Sequence, residues 1–147
     1  MSRLDPGAEG LEAVPENHQV LANLRQSAEP ASSEYRLGAF ELHTHPDVCE
    51  RLDQVARDSR SVGVYGCCAR ATRGSVLYAI GRGTTTIALR LPDGPVREAV
   101  LAHGGRLAPE LGIDWVAADV WLSEVPRAGG TALLVAWVEA ARLAADA

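Results

Sequence analysis

A chain of 147 residues, 47% apolar and 22% charged, has the size and balance of one ordinary globular domain, which excludes disorder along its whole length. Its net charge of −5, with all fourteen basic residues arginine, opposes adsorption to phosphate backbones and anionic membranes, since both depend on clustered positive charge. The three cysteines, Cys49, Cys67 and Cys68, have no paired spacing and so exclude a disulfide framework. The first residues lack the basic start and apolar run of a signal peptide, and no stretch approaches the roughly 20 apolar residues of a membrane span. The expected setting is the reducing cytoplasm, without a membrane anchor.

In chain order, residues 1–14 are rich in Gly, Glu and Pro and are read as a mobile N-terminal arm, with a single α+β domain over 15–147. Pro15 suits the first position of a helix over 15–27, whose apolar face is Val20, Leu21 and Leu24. Ser27 to Ser33, with Pro30, is read as a loop. From Tyr35 to His43 apolar residues alternate with polar ones and then change phase at Phe40, which predicts a strand with a bulge. Thr44, Pro46 and Asp47 open a helix that runs to about Asp58, with Val48, Leu52, Val55 and Ala56 inward and Arg51, Asp53 and Arg57 outward.

The period then switches from helix to strand. Three strands over 62–71, 75–82 and 84–91 are predicted to form an antiparallel meander with one buried face, turning at Thr72-Arg73-Gly74 and Arg82-Gly83. Pro92-Asp93-Gly94-Pro95 starts a short helix with Val96, Ala99, Val100 and His103 inward, ended by Gly104-Gly105. A strand over 113–122 and a C-terminal helix built on Leu134, Trp137, Val138 and Ala141 complete the domain. Adjacent strands followed by helices specify an α+β fold, mainly an antiparallel sheet with helices chiefly on one face.

Between Gly74 and Ala145 the strand end Leu89-Arg90-Leu91-Pro92, the short helix, the Trp115-Val116 strand and the closing helix resemble the YjbR/MmcQ-like small α+β proteins. That resemblance implies the fold, and it implies a double-wing arrangement for DNA binding in which Arg73, Arg82 and Arg90 would occupy the wing. Where the family often has Ser-Tyr in the last helix, this chain has Ala140-Ala141.

Two candidate sites follow from the residues themselves. The segment 70–106 holds six arginines against Asp93 and Glu98, so Arg73, Arg82 and Arg90 are a candidate face for a small anionic ligand or a protein partner. The second is Glu41-Leu42-His43-Thr44-His45-Pro46-Asp47. Its H-x-H at a strand end sets two imidazoles on one side, so His43 and His45 are candidate metal ligands, and Cys49 in the first turn of the following helix is a candidate reactive thiol. A catalytic zinc site generally takes three protein ligands, and a third is hard to supply here. The expected function is therefore a non-enzymatic binding or interaction module that needs no cofactor. A protein or small anion is the expected partner, and nucleic acid is not. The alternative is a small metal- or thiol-dependent enzyme centred on His43, His45 and Cys49.

Overall fold

The computed structural model describes residues 11, 13–26, 36–37, 42–43, 46–56, 61–64, 69–82, 85–121 and 129–146. The elements in order are a 3-10 turn (Pro15–Asn17), α1 (His18–Gln26), β1 (Arg36–Leu37), β2 (Leu42–His43), α2 (Pro46–Val55), β3 (Ser61–Val64), β4 (Ala69–Thr72), β5 (Leu77–Arg82), β6 (Thr86–Arg90), α3 (Pro95–Ala102), β7 (Arg106–Leu107), β8 (Trp115–Asp119) and α4 (Gly129–Asp146). β1 and β2 form an antiparallel pair of their own, and the other strands form one six-stranded sheet in the order β3-β4-β5-β6-β8-β7. Every pairing in it is antiparallel. The chain is thus an α+β domain, as its alternating and helical periods predict. No helix among the described residues is long and apolar enough to cross a membrane.

Three helices cover one face of the sheet. Val48, Leu52 and Val55 of α2, Val100 of α3, and Leu134, Trp137, Val138 and Ala141 of α4 are buried against Tyr78, Ala79, Ile87, Leu89 and Val116. The spacing of these residues at three and four explains the helices, because only that period keeps an apolar stripe on one side. Arg51, expected to face water, instead donates from Nε to the Val120 carbonyl at 3.1 Å and pins α2 to the end of β8.

The opposite face is covered too, which corrects the expectation of a meander buried on one side only. Leu11, Val20 and Leu21 pack on Leu77, Ile80, Ala88, Leu111, Trp115 and Ala117. Leu11 lies within the 1–14 stretch expected to be an arm, yet it is fully buried. Central strands covered on both sides have lost the apolar–polar alternation, and β5 is buried at five successive positions for that reason.

The strand boundaries also differ in instructive ways. The predicted strand over 35–43 is two short strands that pair with each other, Arg36 with His43 and Leu37 with Leu42. The phase change at Phe40, read as a bulge, lies outside the described residues. The predicted strand over 62–71 is likewise two antiparallel strands, pairing Ser61 with Thr72 and Val64 with Ala69. A bulge does occur in β5, where Arg70 pairs with Ala79 but Ala71 pairs with Leu77. Tyr78 is the extra residue, and it turns Leu77 and Ile80 to the α1 side while Ala79 faces α4.

Candidate functional site

The six-stranded sheet places the predicted arginines apart. Arg82 pairs with Thr86, and Arg90 closes the same β6 strand four residues on, so the two share a face but stand about 13 Å apart along it. Arg82 is held by Glu110, Nη1 to Oε2 at 3.1 Å. Arg73 is exposed in the turn between β4 and β5.

His43 ends β2 and Cys49 lies in α2. His45 and the side chains of His43 and Cys49 lie outside the described residues. Among the described residues, no three His, Cys, Asp or Glu side chains come together where a metal ion could be held. His103, expected on the inner face of α3, is exposed at its C-cap. Its Nδ1 lies 2.9 Å from the Ala99 carbonyl, and its ring meets Trp137 edge-on at 5.6 Å.

One concave feature includes a predicted site residue. A cleft of about 180 Å³ opens between the start of α1, the end of β6 and the loop entering β8, with Arg90 on its wall. Backbone bonds fix that wall: the Leu91 N–H donates to the Asp114 carbonyl at 2.7 Å and the Trp115 N–H donates to the Gly112 carbonyl at 3.2 Å. Arg97 donates from Nη1 to the Ile113 carbonyl at 3.0 Å and so ties α3 to the same loop. On the opposite side, Gln19 donates from Nε2 to the Pro109 carbonyl at 3.0 Å. Gly112 has φ +146, and a Cβ there would lie 3.0 Å from Trp115 Cδ1, so the loop can lie flat on the indole only because the residue is glycine.

Two donors on this cleft have no hydrogen-bond acceptor among the described residues. The Arg90 side chain is only 19% exposed, and its one partner among the described residues is Asp114 Oδ2 at 3.9 Å, beyond hydrogen-bond reach. Trp115 is 2% exposed, and its indole Nε1–H has no acceptor among the described residues. Glu16, on the α1 side, and Asp114, on the β8 side, also line the cleft. A part-buried guanidinium carries five N–H donors in a fixed fork that matches a planar oxyanion.

Arg90 was legible from the sequence, but its companions were not. Glu16, Gln19, Gly112 and Asp114 are scattered over about a hundred residues, and Trp115 reads as core mass. The pairing of Arg90 with Trp115 across β6 and β8 brings them together, and no local pattern announces it. Comparison of the chain with family models, with curated proteins and with solved structures gives no match.

Proposed function

We propose that this chain is a binding module whose ligand is a small molecule carrying an anionic group, anchored on Arg90 in the cleft beside Trp115. The observation that carries this reading is the shared cleft: the half-buried Arg90 guanidinium and the Trp115 indole line it together, and among the described residues neither has a hydrogen-bond acceptor. A ligand oxyanion would give both donors a charge-assisted or direct hydrogen bond that the described residues do not supply. The cavity is smaller than the roughly 300 Å³ at which pockets for drug-sized ligands begin, which favours a ligand of few atoms.

This reading departs from the DNA-binding role that the YjbR/MmcQ resemblance implies. A wing needs arginines free to meet phosphates in a row, whereas Arg82 is engaged by Glu110 and Arg90 faces a cleft. The net charge of −5 adds a long-range penalty against polyanions. A reducing, cytoplasmic setting belongs to the same proposal, on the strength of three cysteines without paired spacing.

The indole N–H resonances give a direct test. Titration of the labelled protein with small carboxylates, each with and without an α-amino group, is expected to shift the Trp115 indole proton saturably and leave that of Trp137 in place. Arg90→Gln is expected to abolish the shift while the Trp137 signal keeps its folded position. A Trp115 resonance that no member of the panel moves, or that moves equally in Arg90→Gln, overturns the assignment.

A further inference from the structure

We infer that the cleft takes a zwitterion of the α-amino-acid type, with an ammonium group one carbon from its carboxylate, and not a simple anion. The inference rests on the anion-anchoring reading above and deepens it. Its starting point is the charge around the cleft, which is lined by one guanidinium, Arg90, and by two acidic residues, Glu16 and Asp114. A carboxylate seated on the Arg90 fork stands close to the Asp114 carboxylate, because Asp114 Oδ2 is already 3.9 Å from Arg90 Nη2. Two carboxylates gathered on one guanidinium repel each other, and the repulsion is stronger in a part-desolvated cleft than in water.

A ligand carboxylate is relieved of this conflict when the ligand brings its own cation next to it. An α-ammonium group beside the bound carboxylate has three donors, and two carboxylates on the wall can accept them. The zwitterion then neutralises both signs of the cleft at once: its carboxylate takes the guanidinium and indole donors, and its ammonium takes Glu16 and Asp114. Pro15, Leu111 and Ile113 leave an apolar margin for a short side chain. The small volume holds the ligand to a free amino acid or a molecule of that size.

The test compares three ligand classes on the whole protein by calorimetry and by the Trp115 indole signal: the common α-amino acids, their des-amino acids and their des-carboxy amines. At least one amino acid is expected to bind roughly tenfold or more tightly than its des-amino partner, the worth of one charge-assisted hydrogen bond, and the matching amine is expected not to bind. Glu16→Gln combined with Asp114→Asn should bring the two acids toward equal affinity, since it removes both the attraction for ammonium and the repulsion of carboxylate. Des-amino acids that bind the wild-type protein as tightly as amino acids would sink the zwitterion and leave the Arg90 anchor standing. If no carboxylate of either class moves the Trp115 signal, the anchor falls and the zwitterion with it.

Discussion

Asn17 does with one side chain what a neighbouring strand does with its backbone. Its Nδ2 donates to the Ser75 carbonyl at 2.6 Å while its Oδ1 accepts from the Leu77 N–H at 2.9 Å, the pattern a parallel strand would offer on either side of residue 76. The same Nδ2 reaches the Leu11 carbonyl at 3.0 Å and ties down the incoming chain. The residue is 1% exposed, so its loss strands three backbone groups away from water. Asn17→Ala is expected to cost about 2 to 4 kcal/mol, read as a lower urea midpoint at unchanged slope. Gly105 is the other position where a single atom decides the structure. A Cβ there would lie 2.7 Å from the Val100 carbonyl and 2.9 Å from that of Ala117, and backbone cannot give way as a side chain can. Gly105→Ala should destabilise by about 1 to 3 kcal/mol in the same assay. Sequence reading identified Gly105 as a helix stop, since a glycine pair after an apolar stripe has that meaning anywhere. It passed over Asn17, because a polar residue after a proline carries no mark of partners sixty residues away.

At the scale of elements, α4 is the member most fully determined by its own sequence. Leu134, Trp137, Val138 and Ala141 recur at helical spacing and all are buried on the sheet. Arg142 follows them into the interior at 1% exposure, and it stays charged there by a bidentate grip on Glu139 at 3.1 and 2.7 Å with Asp146 at 3.5 Å. Trp137→Ala should cost about 3 to 5 kcal/mol by core truncation, and an unchanged urea midpoint would remove this helix from the core. Helices were legible because their period repeats over several turns. Strands were harder, for identifiable reasons. β7 spans two residues, Arg106 and Leu107, both exposed, too few to show any alternation. The pairing of β3 with β4 was not legible because the apolar and small residues from Val62 to Cys68 keep one alternating pattern in the sequence, with no strong turn residue pair to divide it. The bulge at Tyr78 sits in a strand buried on both sides, where phase leaves no trace in composition.

For the molecule as a whole, two apolar layers share one sheet, with Trp115 in the α1 layer and Trp137 in the layer under α2, α3 and α4. Because the same strands line both, neither layer has a framework of its own to keep when the other is lost. Variants retaining only Trp115 or only Trp137 should therefore report coincident urea transitions by fluorescence, and two separated midpoints would show that the layers melt independently. Composition predicted a domain of this class, but it could not show that the sheet is covered on both sides: Leu11 falls in a stretch read as an arm, and the Val20 and Leu21 stripe of the first helix does not say which face of the sheet it meets. The cleft inherits this architecture. Its walls are drawn from residues 15–19, 90 and 111–115, segments that meet only when the long-range pairings are complete. An unfolded chain then has no version of the site, and occupancy must act on the folding equilibrium through mass action. A ligand at a hundred times its dissociation constant should add about 2.7 kcal/mol to the unfolding free energy, and the melting temperature should climb with the logarithm of its concentration. Heat alone, applied to a library of small metabolites, would then sort occupants from bystanders, and Arg90→Gln would flatten the response.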